Sequence, residues 1–399
     1  MEAKLSAPTS AIIVLRDHSP NDVATKMIQG GRQKEPFYIF NMDDVYRRVQ
    51  HFRKVMPRVK IFYAIKSNDS NMMVRLAVAL NMGFDCATPG EIHRIRKLNV
   101  APTSIVYAIP AKTPEQMVYA RKSGVRHTTF DNVYELKKLS EYWPDALLLL
   151  RIRVDAISLY DLGKKFGCDY DSEAIDLLDE AARLALKAIG VAFHVGDVCL
   201  SNESFSVGIR HARELFDYEA RAGRRMTIVD IGGGFCGDRI DTIDEVADLV
   251  NDAIAELFPE PDIEIVAEPG RYLCEAPFTL YCSIINAKQV KNERGHINIL
   301  YLSDGVYGTI RFSEKWHNMR KLKLHASDKK NEEMETILWG PSGDSFDQVM
   351  KEFKVQLPHC SALDWLVFEN HGAYTIVFST NFSCIPTPLV RSVVSLELW

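Results

Sequence analysis

The sequence lacks several patterns that would place it in a special class of protein. No apolar stretch approaches the roughly 18 to 20 residues that span a bilayer, and residues 1–4 do not begin the basic and then apolar pattern of a signal peptide. No long basic run is present, and 48 Lys and Arg against 53 Asp and Glu give a net charge of −5. These absences argue against nucleic-acid and membrane partners and favour a cytoplasmic protein.

Cysteine patterns are also missing. The eight cysteines are scattered, without a CxxC pair or the spacing of metal ligands. We therefore expect reduced, mostly structural thiols and no bound metal. What is present is a chain of 399 residues, 47% hydrophobic and 25% charged. That balance is typical of a globular protein with a large core and room for two domains.

Between about residue 60 and residue 268, short runs rich in β-branched and aromatic residues alternate with longer segments of helical apolar spacing. The runs predict eight strands, at residues 60–65, 82–86, 104–108, 126–130, 146–153, 189–194, 226–231 and 263–267. Helices are predicted around them, for example at residues 42–55 and 173–186. Eight strand-and-helix units predict an α/β fold, a (β/α)8 barrel of the TIM type over residues 41–272.

Beyond residue 272, strand-like runs follow one another without regular helices, which predicts an antiparallel β domain. Its strands are predicted at residues 278–290, 297–302, 336–339, 365–368, 374–378 and 389–398. Residues 36–40 also have strand character, so we expect residues 1–40 to join residues 273–399 in this domain. The charged, irregular residues 313–335 predict a mobile loop.

Reactive side chains follow six of the predicted barrel strands, at the end where TIM barrels gather their catalytic groups. In chain order they are Lys66, Asp85, Arg151, His194, the run Gly232, Gly233 and Gly234, and Glu268. Each of these alone is a weak signal, since a single histidine or lysine more often has a structural role. Six such groups at one rim predict an active site.

Three of these groups, together with Arg271, match what pyridoxal 5′-phosphate needs from a protein. Lys66 can form a Schiff base with the cofactor aldehyde. The glycine run lets backbone N–H groups approach a phosphate, and Arg271 adds a fixed charge with fork geometry. Glu268 can keep the pyridine nitrogen protonated. The remaining groups would stack on the ring or orient polar atoms around Lys66: His194, Asp85 and Arg151.

Short sequence blocks extend the signal over nearly the whole chain. They lie at residues 62–66, 83–87, 165–167, 193–196, 230–235, 267–272, 304–308, 339–341 with Asp344, 368–370 and 372–375. With these blocks the chain resembles the eukaryotic ornithine decarboxylase family, the fold-type III decarboxylases that share an alanine-racemase-like barrel. The resemblance implies decarboxylation of an L-amino acid with pyridoxal phosphate, ornithine or another basic amino acid giving a diamine for polyamine biosynthesis.

The resemblance also implies roles for single residues. Lys66 carries the cofactor, Glu268 pairs with its pyridine nitrogen and His194 stacks on its ring. The other residues expected to bind the cofactor are Asp85, Arg151, Asp197, Gly233, Gly234, Gly270, Arg271 and Tyr374.

The family is a head-to-tail homodimer, and residues 339–347 of each subunit complete the active site of the other. Lys165 and Asp347 match positions that pair across that interface. Asp344 would bind the distal amine of the substrate, and Tyr307 and Phe382 belong to the expected substrate pocket.

The chain departs from the family at the proton donor. The family has a cysteine before the aspartate, and its thiol protonates the substrate carbon after carbon dioxide leaves, whereas this chain has Gly343. Either Lys66 or a water then performs the step, or the proton falls on the cofactor. The second outcome is decarboxylation-dependent transamination, which yields an aldehyde.

Two further departures concern the phosphate and the substrate. The family serine that contacts the phosphate is here Asp197, whose charge should weaken cofactor binding unless it turns away, is protonated or points to a cationic substrate. A family aspartate that binds the substrate amine is replaced by Trp316, or by Glu314 if two residues are deleted. Lysine, a shorter diamino acid or a non-basic amino acid packed on Trp316 therefore remain possible substrates.

Two other functions compete with the decarboxylase. Antizyme inhibitors keep this fold and bind antizyme without decarboxylase activity, and Gly343 and Asp197 favour such a regulator. Residues 116–141 match the antizyme-binding stretch, whereas the complete set of expected cofactor residues favours the enzyme. An amino-acid racemase on the same barrel is the third hypothesis, and the C-terminal blocks argue against it.

Overall fold

A computed structural model of the protein describes residues 12–292, 295–311, 319–324 and 333–399. By its contacts the chain divides into two units. The first, called the barrel unit, comprises Arg47–Lys66 and Val74–Leu273. The second, called the sheet unit, comprises Met1–Tyr46, Ser67–Met73 and Cys274–Trp399. No described helix combines the length and the apolar character needed to cross a membrane.

The barrel unit contains a closed barrel of eight parallel strands, numbered here from first to eighth in chain order. The strands are Val59–Ala64, Gly83–Cys86, Ile105–Tyr107, His127–Phe130, Leu147–Ile152, Lys187–Phe193, Ile228–Asp230 and Glu264–Ala267. They confirm the predicted barrel, with ends displaced by one or two residues. A short antiparallel ladder of Ser158–Tyr160 and Asp197–Cys199 was not predicted.

Helices alternate with the barrel strands as the apolar spacing predicted. They are Met42–Val55, Asn71–Ala79, Pro89–Arg96, Pro114–Lys122, Val133–Tyr142, Ala174–Arg183, Glu203–Arg221, Asp244–Leu257 and the short Arg271–Cys274. Local sequence sets their ends. Thr113 and Gln116 form a capping box at the start of Pro114–Lys122. The helix predicted to reach residue 186 ends earlier because Ala185 adopts a left-handed conformation, with φ of +56°.

The interior of the barrel is filled by apolar side chains. One buried cluster consists of Phe62, Val106, Ala108, Leu149, Ala192 and Val266, which come from five strands and one strand end. Alternate residues of a strand point to opposite faces, so half of each strand can line this interior. The packed interior leaves the rim at the C-terminal strand ends as the place for polar chemistry.

The sheet unit contains a mostly antiparallel sheet of ten strands in its described part. Seven follow one another in the order Ile13–Leu15, Leu389–Ser395, Phe37–Asn41, Phe278–Asn292, Gly295–Leu302, Glu333–Trp339 and Gln348–Val349. The others are Met319–Lys321, Val355–Pro358 and Trp365–Phe368. The predicted N-terminal strand does join this sheet, but it pairs in parallel with Leu389–Ser395. Through Ala24 and Ile28, the helix Pro20–Gln29 packs into a buried apolar cluster with side chains of this sheet.

Two predictions for the sheet unit were wrong. Residues 374–378 form no strand, because Tyr374 has a φ of +57° and a 3-10 turn follows at Ile376–Phe378. The charged residues 313–335 are not one irregular loop, because Met319–Lys321 pairs with Trp365–Phe368. Residues 312–318 and 325–332 lie outside the described part of the chain.

Candidate cofactor site at the barrel rim

Lys66 and Asp85 form an ion pair at the rim of the barrel. The first strand leads into the turn Ile65–Ser67, which carries Lys66, and Ala64 is in register with Asp85 on the second strand. Lys66 Nζ donates to Asp85 Oδ2 at 2.5 Å. The Asp85 side chain is fully buried, whereas 37% of the Lys66 side chain is exposed. An amine that is both held and accessible can react with an aldehyde.

The second carboxylate oxygen of Asp85 is buried and has no hydrogen-bond partner among the described residues. A buried acceptor without a donor costs free energy, which a bound polar group can recover.

Nearby, Glu91 Oε2 accepts a hydrogen bond from the Ala87 N–H at 2.5 Å. Burial raises the pKa of Glu91. Sequence reasoning missed Glu91, although its place in the first turn after the second strand was a usable signal.

Asp230 and Glu268 form a buried acidic pair at the ends of the seventh and eighth strands. Asp230 Oδ1 accepts a hydrogen bond from the Gly232 N–H at 2.9 Å. Burial raises the pKa of Asp230 to about 7. Burial, and then the negative charge of Asp230, raise the pKa of Glu268 well above its usual range. A proton is therefore retained on this pair near neutral pH, available for a pyridine nitrogen. Asp230 was part of a sequence block but had no predicted role.

The surroundings of His194 favour the neutral form of its imidazole. Burial, followed by the charges of Arg151 and Lys66, lowers its pKa well below the usual value. The Gly196 N–H donates to His194 Nδ1 at 3.0 Å, which leaves the proton of the neutral ring on Nε2. The Arg151 guanidinium lies 5.5 Å from the centre of the Phe166 ring. An uncharged flat ring at this position is suited to stacking on an aromatic cofactor.

The glycine run after the seventh strand needs its missing side chains. Gly232 has a φ of +67°, and a Cβ there would lie 2.2 Å from the Phe193 carbonyl oxygen. A Cβ on Gly233 would lie 2.9 Å from the Glu268 carbonyl oxygen and 3.0 Å from His194 Nε2. The loops after the sixth, seventh and eighth strands therefore meet at these glycines. Backbone N–H groups in such a loop can approach an anion closely.

Arg271 and Asp197 form a two-point ion pair beside this loop. Arg271 Nε donates to Asp197 Oδ1 at 3.0 Å, and Arg271 Nη2 donates to Asp197 Oδ2 at 2.6 Å. Only 10% of the arginine side chain and 16% of the aspartate side chain are exposed. From the sequence, Asp197 was expected to turn away, to be protonated or to point to a cationic substrate. The structure instead shows the carboxylate turned to Arg271, which was predicted to hold phosphate.

Three predicted substrate residues come together within the sheet unit. The Tyr307 hydroxyl donates to Asp344 Oδ2 at 2.6 Å, and the Tyr307 ring stacks on Phe382 with 4.3 Å between ring centres. A small pocket adjoins Tyr307 and Phe382, and it is lined in part by Asp304 and Thr380. Asp344 is thereby oriented by its own chain, and its pKa is lowered mainly by the Tyr307 hydroxyl.

The loop that carries Gly343 is organised by Asp347. Asp347 is buried and accepts hydrogen bonds from the Val306 N–H at 2.8 Å and the Ser342 N–H at 2.9 Å. A Cβ on Gly343 would meet nothing within 4 Å, so packing does not exclude a cysteine there. The Lys165 ammonium lies 4.9 Å from the centre of the Phe166 ring. Pairing of Lys165 with Asp347 across a dimer stays a prediction.

For the remaining predicted residues, the structure gives a position but no test of the predicted role. Tyr374 belongs to the sheet unit, where its N–H donates to the Ser67 carbonyl at 2.8 Å. Gly270 directly precedes the short helix Arg271–Cys274. Their contacts with a phosphate stay predictions. Glu314 and Trp316 lie outside the described residues.

These features fit pyridoxal phosphate at the ring and at the aldehyde. The unsatisfied Asp85 oxygen and the glycine loop that a Cβ would fill both leave room for a bound group. Lys66 would supply the amine, and Glu268 would supply a proton for the ring nitrogen. At the phosphate position the fit is poorer, because Arg271 already forms an ion pair with Asp197.

Comparison with known proteins decides the family. The sequence profile described as "Pyridoxal-dependent decarboxylase, pyridoxal binding domain" matches residues 42–275. The chain belongs to this family. The predicted cofactor, pyridoxal phosphate, and the predicted class of enzyme, a decarboxylase that uses it, are thereby confirmed.

Similar proteins include decarboxylases and an antizyme inhibitor. Antizyme inhibitor 2 of Xenopus laevis is 39% identical over 363 residues, which cover 88% of this chain and 79% of that protein. Ornithine decarboxylase of Panagrellus redivivus is 37% identical over 383 residues, with 92% and 86% covered. The crystal structure of Paramecium bursaria Chlorella virus arginine decarboxylase bound to agmatine has a TM-score of 0.86 at 30% identity, with 93% of this chain and 100% of that chain covered.

Proposed function

We propose that the protein decarboxylates a basic L-amino acid, with ornithine as the first candidate, and releases a diamine for polyamine biosynthesis. The observation that carries this proposal is the rim itself, where the Lys66–Asp85 ion pair and the acidic pair of Asp230 and Glu268 interact electrostatically. The names of the similar ornithine and arginine decarboxylases support a basic substrate.

Each rim residue has a physical part in that reaction. The bound cofactor would supply an electron sink for the electrons released when the carboxylate leaves as carbon dioxide. Glu268 would place its proton on the ring nitrogen and then hold the resulting cation as an ion pair. His194, kept neutral by burial, would support the ring face without adding a charge. Asp85 would orient the Lys66 amine through the contact at 2.5 Å.

Substrate choice would depend on the sheet unit. Asp344 is accessible and negatively charged, and Tyr307 holds it in one orientation. In the homodimer that the family resemblance implies, Asp344 would serve the partner's active site and bind the distal amine of the substrate. A charge-assisted hydrogen bond of this kind contributes roughly 1.5 to 3 kcal/mol, which favours a cationic side chain over a neutral one.

The proton donor decides the product. Gly343 has no proton to give, so Lys66 Nζ or a water would protonate the substrate carbon and yield an amine. If the proton is delivered to the cofactor instead, the product is an aldehyde. A Cβ on Gly343 would meet nothing within 4 Å, so the space beside this residue is open.

The test is carbon dioxide release from a panel of amino acids with excess pyridoxal phosphate. Ornithine, lysine, arginine, a shorter diamino acid, leucine and phenylalanine are compared, and each product is identified by mass as amine or aldehyde. We expect the highest kcat/KM with a basic amino acid. A preference for leucine or phenylalanine would refute the basic substrate and leave decarboxylation intact. The same purified protein, sized at several concentrations, tests the homodimer.

A regulator of the antizyme-inhibitor type is the second candidate. The Asp197–Arg271 ion pair favours it, because a bound carboxylate competes with the cofactor phosphate, and the similar Xenopus protein supports it. Stable binding to antizyme, together with no carbon dioxide from any amino acid at excess cofactor, would establish this function. Turnover of any amino acid in the panel would exclude a purely regulatory role.

A further inference from the structure

We propose that Asp197 is a built-in competitor of the cofactor phosphate. Its carboxylate occupies the anion-binding fork of Arg271, so phosphate enters this site only when the Asp197–Arg271 ion pair opens. The chain then binds pyridoxal phosphate more weakly than it would with a small neutral residue at position 197, and it gains little affinity from the phosphate group. The inference rests on the assignment of the cofactor, and it does not depend on which amino acid is the substrate.

The geometry of the pair is that of a ligand in an anion site. Two nitrogens of Arg271, Nε and Nη2, each donate to a different oxygen of Asp197, at 3.0 and 2.6 Å. The guanidinium fork matches a carboxylate and a phosphate in the same two-point manner. With 10% and 16% of the side chains exposed, solvent and salt screen this interaction only partly. The carboxylate therefore stands where phosphate oxygens would bind.

The position of Asp197 next to the glycine loop supports the same conclusion. The Cys199 N–H, two residues further along, donates to the Gly234 carbonyl at 3.0 Å. One residue before Asp197, the Gly196 carbonyl oxygen would lie 2.7 Å from a Cβ on Gly234. Asp197 is thus held between two contacts with the loop whose backbone N–H groups can bind an anion.

The backbone holds Asp197 in this place. Asp197 pairs with Tyr160 and Cys199 pairs with Ser158 in the short antiparallel ladder. Between them, Val198 has a φ of +54°, a left-handed conformation that β-branched residues rarely adopt. Such a conformation persists only where the surrounding structure imposes it. The ladder therefore fixes the direction in which the Asp197 side chain leaves the backbone.

The energetic consequence is competition between two anions for one cation. A carboxylate and a phosphate in the same site repel each other, so the cofactor binds only after the carboxylate gives up its two charge-assisted hydrogen bonds. Loss of one such bond corresponds to about a ten- to hundredfold change in a binding constant. Asp197→Ser should remove this cost, because the serine hydroxyl can donate to a phosphate and carries no charge.

The experiment compares two forms of the cofactor. Cofactor-free protein is titrated with pyridoxal phosphate and with pyridoxal, which lacks the phosphate, and binding is followed by visible absorbance and tryptophan fluorescence. The proteins are the wild type, Asp197→Ser and Asp197→Asn, which removes the charge and keeps the shape. The matched control is Asp241→Ser, because Asp241 forms an exposed ion pair with Arg239 at 2.9 Å. Circular dichroism at each step monitors folding.

We expect Asp197→Ser to tighten binding of pyridoxal phosphate by about ten- to a hundredfold, and Asp197→Asn to do so less strongly. Binding of pyridoxal should stay within about threefold, as should every value for Asp241→Ser. The inference alone is overturned if both substitutions leave pyridoxal phosphate affinity unchanged or weaken it, or if pyridoxal tightens equally. If no variant binds either compound, the inference and the cofactor site fail together.

Discussion

The buried acidic pair leads to a specific prediction about the pH dependence of stability. Burial raises the pKa of Asp230 from 3.8 to about 7 in the folded protein. The folded state therefore binds this proton more tightly than the unfolded state does. The resulting stabilisation is fully present below pH 4 and is lost as the pH rises through 7. Asp230→Asn removes this titration while its amide oxygen still accepts the hydrogen bond from the Gly232 N–H.

The magnitude follows from the size of the pKa shift. Between pH 5 and pH 8 the Asp230 carboxyl loses the stabilisation that accumulates over the two pH units below its folded pKa. At about 1.36 kcal/mol for each unit, that loss is roughly 3 kcal/mol. The wild type should therefore lose roughly 3 kcal/mol more of its free energy of unfolding between pH 5 and pH 8 than Asp230→Asn loses.

Urea unfolding of cofactor-free protein at the two pH values, followed by circular dichroism, measures this difference. Asp252→Asn, at an exposed position on the helix Asp244–Leu257, is the matched control and should behave as the wild type. The reasoning is refuted if the wild type and Asp230→Asn lose the same free energy over this range. It is also refuted if Asp252→Asn reproduces the effect.

Three further substitutions test the site directly. Lys66→Ala should abolish carbon dioxide release and also the covalent attachment of cofactor, which is detected by mass after borohydride reduction. The control Lys60→Ala, at an exposed position, should keep both. Attachment that persists in Lys66→Ala would contradict the assignment of Lys66. Gly233→Ala should weaken cofactor binding by about five- to 150-fold, because overpacking costs roughly 1–3 kcal/mol where the new Cβ lies 2.9 Å from the Glu268 carbonyl oxygen. The control is Gly90→Ala, whose Cβ would come no closer than 3.7 Å to a neighbour. Equal cofactor binding by the two variants would count against the glycine loop as part of the cofactor site. Gly343→Cys should leave the urea midpoint unchanged and raise the ratio of amine to aldehyde product, and an unchanged ratio would show that the missing thiol does not limit proton delivery.

Local patterns were sufficient for the barrel and for much of its rim. The alternation of strand-like and helical segments has periods that a sequence shows directly, and a parallel barrel places all C-terminal strand ends on one rim. Lys66, Asp85 and Glu268 could therefore be assigned to one site without coordinates. The same patterns failed at residues 374–378, where an apolar and aromatic run turns at a left-handed Tyr374.

Burial and long-range contacts decided the properties that a sequence does not show. Asp230 gains its raised pKa because the barrel buries it at the end of the seventh strand, and its charge then helps to raise the pKa of Glu268 after the eighth strand. The sequence showed that Asp197 departs from the family, but not which residue it contacts. The fold places it against Arg271, which lies 74 positions further along the chain. Spacing along a strand or helix determines which face a side chain occupies. Which charged groups then lie close together, and how deeply they are buried from solvent, depends on elements that are distant in the chain.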